Sequence, residues 1–152
     1  MSHGSRWLLP LLLLTAATAC RAPLALDERA SITGTGVVVT EVLCGLGPGA
    51  HEGETIVIDY VARLTDDTAV DSTYERGLPV SVQLGSSPIA GWNSGLLGLA
   101  LGGKRRLLIP AVLAYGSRGV PGLVPPDADL VFEIERVRPL SAAAKASSKD
   151  EE

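Results

Sequence analysis

The stretch Pro88–Leu101 reads P-I-A-G-W-N-S-G-L-L-G-L-A-L, and it decides how the rest of the chain is interpreted. Its Trp92, Leu96 and Leu99 lie at positions i, i+4 and i+7, the spacing of one helical face. Three glycines within the stretch each weaken a helix by about 1 kcal/mol relative to alanine. We therefore predict a short helix held by packing, in which Trp92 is either ordinary core or the floor of an apolar pocket.

Short extended segments flank this helix and predict an antiparallel sheet. In Thr55–Leu64 every second residue is apolar or aromatic, which is the period of a half-buried antiparallel strand. A loop or bulge is predicted over 74–79, and glycine- and proline-rich loops over 45–53 and 117–126. The pattern therefore predicts an α+β fold, with five or six short strands folded over one short helix. The further predicted strands are Gly36–Leu43, Ala69–Ser72, Val80–Leu84, Lys104–Ile109 and Leu130–Val137.

The residue inventory of the 152-residue chain excludes several kinds of chemistry. Beyond residue 19 there is one histidine, His51, and two cysteines, too few ligands for a zinc site of the usual composition. No G-x-S-x-G elbow, P-loop or dinucleotide fingerprint occurs. Residues 20–152 contain 12 of the 13 basic residues and all 17 acidic ones. Because this part of the chain is net negative, we predict no nucleic-acid partner. We predict neither a metal nor a cofactor.

The first twenty residues predict export from the cytoplasm. The apolar run at 7–14 is too short to span a bilayer, and the small residues at 17–19 form an A-x-A cleavage site directly before Cys20. This arrangement resembles a bacterial lipoprotein signal, which implies a signal peptide at 1–19, lipidation of Cys20 and a tether at 20–36. The alternative is an ordinary secretory signal, with Cys20 free or bridged to Cys44. Both signals place the protein on the periplasmic side of a bacterial membrane. The resemblance to bacterial lipoproteins further implies that Arg21, directly after Cys20, favours the outer membrane.

The order of the motifs is more specific than the composition. The chain reads D-Y-V-A-R-L at 59–64, A-V-D-S at 69–72, V-S-V-Q-L-G at 80–85, P-I-A-G-W at 88–92 and A-Y-G-S-R-G-V-P-G-L-V-P-P-D-A-D-L-V-F-E-I-E at 114–135. Together these motifs resemble an FKBP-type peptidyl-prolyl cis-trans isomerase over residues 37–138. The resemblance implies a curved antiparallel sheet wrapped around one short helix, with a pocket between them. The polar, lysine-rich and acidic residues 139–152 predict a disordered tail.

The resemblance also implies roles for individual residues. Trp92 is expected at the pocket floor and Ile89 to offer its backbone N–H to the substrate, while Asp71 is the one carboxylate of the pocket. We expect Asp71 to stabilise the twisted amide or to order Tyr60, and Tyr115 to donate its hydroxyl to a substrate carbonyl. The aromatic walls are Tyr60, Tyr115 and Phe132, and the overhanging loop contributes Val120, Leu123 and Val124.

Two positions depart from the family pattern. Val70 and Val80, both expected to line the pocket, are smaller than the aromatic residues common there. We therefore predict an isomerase for X–Pro bonds of exported proteins, and keep as the alternative a catalytically weak module that binds proline-containing segments. A third, less favoured hypothesis is an interaction protein whose isomerase site is unused. The chain shows no long dimerising helix, so a monomer is expected.

Overall fold

A computed structural model describes residues 29–137, which form one seven-stranded antiparallel sheet. The strand order is β1-β2-β6-β7-β3-β4, and β5 pairs with the first half of β3. The sheet is open and curved, as the sequence predicted, and it contains one strand more than expected. The strands are β1 (Arg29–Ile32), β2 (Val38–Leu43), β3 (Thr55–Leu64), β4 (Ala69–Ser72), β5 (Val80–Gln83), β6 (Lys104–Ile109) and β7 (Leu130–Val137).

The extra strand, β1, comes from the segment that we predicted to be a tether at 20–36. It pairs with β2 from Arg29↔Glu41 to Ile32↔Val38, and a tight turn closed by the Thr33 N–H to Val37 O bond joins the two strands. That part of the tether prediction is wrong. The alternation of polar and apolar residues in the four-residue sequence R-A-S-I is too short to indicate a strand. The segment is extended because it pairs with β2, which its own sequence does not reveal. The predicted leader, the lipidation site, the rest of the tether and the tail lie outside the described residues.

Two short helices interrupt the sheet connections. The first, α1 (Thr73–Arg76), occupies part of the predicted loop at 74–79, and the second, α2 (Ala90–Gly95), lies in the predicted helical stretch. The Ser72 side chain caps α1 by accepting from the Glu75 N–H, and Gly77 ends the helix at φ 68°. Two 3-10 turns, Ala111–Leu113 and Gly116–Arg118, follow β6. Within 29–137 no helix is long and apolar enough to cross a membrane.

The glycines of α2 allow it to lie directly on the sheet. A Cβ at Gly91 would lie 2.4 Å from Ile109 Cγ2, and one at Gly95 would lie 2.6 Å from Leu107 Cδ1. Both contacts are with β6, so the glycine face of α2 is the face turned toward that strand. Trp92 is only 3% exposed and projects into the core beside it. The helix therefore gains packing at the positions where it loses intrinsic stability, as the sequence predicted.

We expect Gly91→Ala to lower the free energy of unfolding by about 1–3 kcal/mol, the usual cost of overpacking a core. The branched Ile109 side chain has to shift, and this cost exceeds the gain in helix propensity from alanine. Urea unfolding followed by Trp92 fluorescence measures the change. Gly34→Ala is the matched control, because an added Cβ there meets nothing within 4 Å. Equal unfolding midpoints for the two variants would contradict the close packing of α2.

Arg105 on β6 holds the backbone at the end of α2. Its guanidinium donates to the Gly95 carbonyl at 2.9 Å and to the Leu97 carbonyl at 2.6 Å, and it pairs with Glu41 on β2 at 2.5 Å. The last carbonyls of a helix have no partner within the helix, so a donor from another element must satisfy them when they are buried. Arg105 is itself buried, with 9% of its surface exposed.

Arg136 on β7 makes the same kind of contact with the loop that follows α2. It donates to the Leu99 carbonyl at 2.7 Å and pairs with Glu54 at 2.5 Å. A backbone hydrogen bond from His51, opposed by burial and helped by the charge of Arg136, lowers the pKa of Glu54. The two arginines therefore tie the end of α2 and the following loop to neighbouring strands.

Candidate functional site

Three aromatic rings from three separate elements meet between α2 and the sheet. Tyr60 comes from the middle of β3, Trp92 from α2 and Phe132 from β7. Their ring centroids are 5.3 Å (Tyr60–Trp92), 5.8 Å (Tyr60–Phe132) and 5.3 Å (Trp92–Phe132) apart, all in edge-to-face geometry. The rings are 7%, 3% and 1% exposed, respectively. The predicted pocket floor and two of its three predicted walls thus form one apolar cluster.

A charged group lies at the edge of this cluster. The Tyr60 hydroxyl donates to Asp71 Oδ2 at 2.5 Å, and Arg76 Nη1 donates to both Asp71 oxygens at 2.7 and 2.8 Å. Arg76 Nη2 also donates to the Tyr60 hydroxyl at 3.2 Å, and its guanidinium lies 5.7 Å from the centre of the Tyr60 ring. Asp71 therefore forms an ion pair with Arg76, and both residues are hydrogen-bonded to Tyr60 of the aromatic cluster.

The hydrogen bonds of this group decide its protonation. Burial raises the pKa of Asp71, but the bonds from Tyr60 and Arg76 and the Arg76 charge outweigh burial, so the pKa lies below its ordinary value. Burial and the bond to Asp71 raise the pKa of Tyr60. At neutral pH the group is therefore a carboxylate, a neutral phenol and a guanidinium.

Arg76 is the member of this hydrogen-bonded group that the sequence analysis missed. It lies in the last turn of α1, and buried Thr73 fixes that helix to β3 by accepting from the Tyr60 N–H at 2.9 Å and donating to Asp59 at 2.7 Å. The available signal was Ser72-x-x-Glu75, a capping-box pattern that predicts a helix start directly after β4. A helical turn there brings Arg76 back to Asp71, five residues earlier.

Tyr115 lies at the more exposed side of the site. It is 40% exposed, and its hydroxyl makes no hydrogen bond to another residue of 29–137. Burial and the nearby charge of Asp71 raise the pKa of Tyr115, so its hydroxyl stays protonated at neutral pH. A neutral, partly exposed hydroxyl without a partner in the described part of the chain can donate to a ligand.

The Ile89 backbone amide has a hydrogen-bond partner within the protein. Ile89 is 4% exposed and directly precedes α2, and its N–H donates to the Ser87 hydroxyl at 3.3 Å. The amide that we expected to serve a substrate therefore has an internal partner.

The remaining predicted site residues surround the aromatic cluster at different depths. The loop after Tyr115 is closed by two backbone bonds between Val120 and Val124, of 2.8 and 2.9 Å. Val124 is buried in the core and Val120 packs against that core, whereas Leu123 at the loop tip is 57% exposed. Val70 and Val80 are partly buried and pack against the same core. The structure thus brings the predicted residues to one region, except for the exposed tip residue.

A separate cavity of about 270 Å³ lies on the opposite face of the sheet and contains none of the predicted site residues. Its charged side chains are paired within the protein, with Lys104 to Glu135 at 2.9 Å and Arg106 to Glu133 at 2.7 Å. Among residues 29–137 no group of three or more His, Cys, Asp or Glu side chains could hold a metal ion. The aromatic cluster is therefore the site that the geometry supports.

Comparison with known sequences gives one consistent result. Residues 47–137 match the FKBP-type peptidyl-prolyl cis-trans isomerase family. The chain is 47% identical over 96 residues to peptidyl-prolyl cis-trans isomerase FPR2 of Saccharomyces cerevisiae, covering 62% of this chain and 71% of that protein. It is 38% identical over 131 residues to FkpA of Escherichia coli K12, covering 86% of this chain and 47% of that one. The match thus spans about half to seven-tenths of these relatives' length.

Solved structures agree with the sequence matches. The crystal structure of AtFKBP13 superposes with a TM-score of 0.67 at 34% identity and covers 73% of this chain and 98% of that chain. The crystal structure of FkpA from Escherichia coli superposes with a TM-score of 0.66 at 39% identity and covers 74% and 52%, respectively.

Proposed function

The chain belongs to the family of FKBP-type peptidyl-prolyl cis-trans isomerases, and from this premise we propose that its domain rotates X–Pro bonds in exported polypeptides. The observation that carries the proposal is the cluster of Tyr60, Trp92 and Phe132 with the Asp71–Arg76 pair at its edge. An apolar cluster of this kind accepts a proline ring, and the ion pair supplies polarity on one side only.

The reaction needs no nucleophile and no redox group. Rotation about the amide C–N bond has a barrier of about 18–20 kcal/mol, because it removes amide resonance, and uncatalysed exchange takes tens to hundreds of seconds. In the twisted state the amide loses charge separation, so an apolar and water-poor site favours it over the planar amide. This differential binding lowers the barrier.

We assign the predicted residues to this reaction as follows. The aromatic cluster holds the proline ring, the Tyr115 hydroxyl donates to a substrate carbonyl, and Asp71, paired with Arg76, orders Tyr60 and sets the local field. The aliphatic rim packs against the substrate backbone on either side of the proline. The rim consists of Val70, Val80, Ile89, Val120, Leu123 and Val124.

The test is isomerisation of an Ala-Leu-Pro-Phe peptide by the purified chain lacking residues 1–19, with Trp92 fluorescence as the control for folding. We expect clear acceleration over the uncatalysed rate. Tyr74→Phe is a matched control variant, because Tyr74 is an exposed aromatic residue on α1 that takes no part in the cluster. A folded protein without acceleration would contradict the enzymatic proposal.

The alternative function is a binding module for proline-containing segments with slow turnover. Val70 and Val80 favour it, because two partly buried aliphatic side chains enclose a proline ring less completely than aromatic rings do. Under this alternative the peptide binds, as measured by quenching of Trp92 fluorescence, without acceleration of its isomerisation.

We further propose that the protein acts outside the cytoplasm as a monomer, held at a membrane by a lipid on Cys20. The chain has two cysteines, Cys20 and Cys44, and lipidation of Cys20 consumes the sulfur that a bridge to Cys44 needs. The lipid-anchored form and the bridged, secreted form therefore exclude each other.

The intact mass of the protein from a bacterial membrane fraction distinguishes these forms. We expect the mature chain to start at Cys20 and to carry acyl groups, and Cys20→Ser to abolish both the added mass and the membrane association. A protein without acyl groups, whose mass increases by two hydrogens upon reduction, would contradict the anchored form and support the bridged, secreted one.

A further inference from the structure

The turn that leads into α2 positions the Ser87 hydroxyl against the Ile89 amide. The N–H to Oγ distance is 3.3 Å, at the long end of hydrogen-bond distances. Pro88 lies between the two residues and fixes its own φ near −65°, which limits the ways in which this turn can open. Ser87 is only partly buried, so its hydroxyl can exchange the amide for water.

Asn93, within α2, holds the same turn in place. Its Oδ1 accepts from the Gly85 N–H at 3.0 Å and from the Ser87 N–H at 3.1 Å. The backbone of Ser87 is therefore held against the helix, with its hydroxyl beside the Ile89 amide. The position of that hydroxyl is built into the fold.

We propose that the Ser87 hydroxyl competes with the substrate carbonyl for the Ile89 N–H and so weakens substrate binding. This inference rests on the proposed function and on the role that the family resemblance implies for the Ile89 amide, which is to donate to the substrate. A bound peptide has to displace the Ser87 hydroxyl, which then turns to solvent. The free energy of the bond between the Ile89 N–H and the Ser87 hydroxyl is therefore lost from the binding of every substrate.

The competition predicts a specific kinetic pattern. Because the substrate accepts from Ile89 in both the planar and the twisted state, the internal bond affects ground-state binding and not the barrier from bound substrate. We therefore expect Ser87→Ala to lower KM by about 2- to 10-fold with kcat unchanged, since a single neutral hydrogen bond has that effect. Ser87→Thr keeps a hydroxyl at this position and should retain a KM close to that of the parent.

Ser86→Ala is the matched control for the Ser87 variant. Ser86 is the neighbouring serine, and its hydroxyl bonds Gln83 at 3.2 Å instead of Ile89. A second readout is amide hydrogen exchange of Ile89 in the free protein, which should become faster in Ser87→Ala and not in Ser86→Ala. This exchange reports the internal bond whether or not the protein turns over.

The outcomes separate this inference from the proposed function. No acceleration by the parent protein would overturn the proposed function; affinity for the same Ala-Leu-Pro-Phe peptide then tests Ser87, and tighter binding by Ser87→Ala supports it. Acceleration by the parent with an unchanged KM in Ser87→Ala overturns the competition alone. A raised KM also overturns it, because Ser87 would then hold the substrate.

Discussion

Arg105→Met is expected to lower the free energy of unfolding by about 3 kcal/mol. The substitution leaves the Gly95 and Leu97 carbonyls without their donor in a region where the arginine is only 9% exposed. It also leaves Glu41 without its cation, although 30% of that side chain reaches solvent and limits this part of the cost. The largest effect is therefore on the end of α2, whose glycines give it little stability of its own.

Urea unfolding with Trp92 fluorescence measures this loss, and Arg106→Met is the matched control. Arg106 is the next residue on β6, and its pair with Glu133 is about half exposed on both sides. An exposed pair contributes about 0–1 kcal/mol, so the control should stay close to the parent. Similar losses in both variants would show that charge at β6, and not the bonds to α2, stabilises the fold.

Asp71→Asn is expected to reduce kcat/KM by about 10-fold or more, which corresponds to about 1.4 kcal/mol of barrier. The amide weakens the charge-assisted bond from Tyr60 and leaves Arg76 as an unbalanced cation beside the pocket. Arg76→Met should reduce kcat/KM as well, because Tyr60 and Asp71 then lose their common donor. The Asp71→Asn/Arg76→Met double variant should lose less than the sum of the two losses, since groups in one hydrogen-bonded network are not independent.

The pH profile of the same variants provides an independent readout. Arg76 helps hold the pKa of Asp71 below its ordinary value, so in the parent the activity that needs the carboxylate falls only as the pH drops below that ordinary value. In Arg76→Met the fall should begin at a higher pH. Arg63→Met is the control, because Arg63 bonds the Asp67 carbonyl and not Asp71. Additive losses together with an unchanged pH profile would contradict the coupled pair.

The strands could be predicted because they depend on local pattern, whereas the meeting of the three aromatic rings was expected only from the family resemblance. Period-two alternation in β3 and β7 determines which residues face inward, so Tyr60 and Phe132 are recognisable as inward-facing from their own strands. The glycine pattern around Trp92 indicates a helix that needs packing, and the structure confirms it. These features require no knowledge of which strands pair.

The arginine contacts could not be predicted, because they depend on which strands pair and not on local pattern. Period-two alternation places Arg105 and Arg136 on the inward faces of β6 and β7. Only the pairing of β6 with β2 and the path of the chain after α2 show which carbonyls they satisfy. The position of Arg76 depends on a four-residue helix that a loop prediction conceals. Long side chains that reach across elements leave no periodic trace in the sequence.

The pairing of β3 with β7 at the middle of the sheet has a consequence for how the chain folds during its synthesis. β3 is formed from residues 55–64 and β7 from 130–137, so the central ladder joins segments that leave the ribosome at widely separated times. Such high contact order slows folding, and an inner strand that waits for its neighbour exposes an unsatisfied edge in the meantime. Tyr60 and Trp92 emerge before Phe132. A nascent chain therefore has no complete aromatic cluster until its last strand is added.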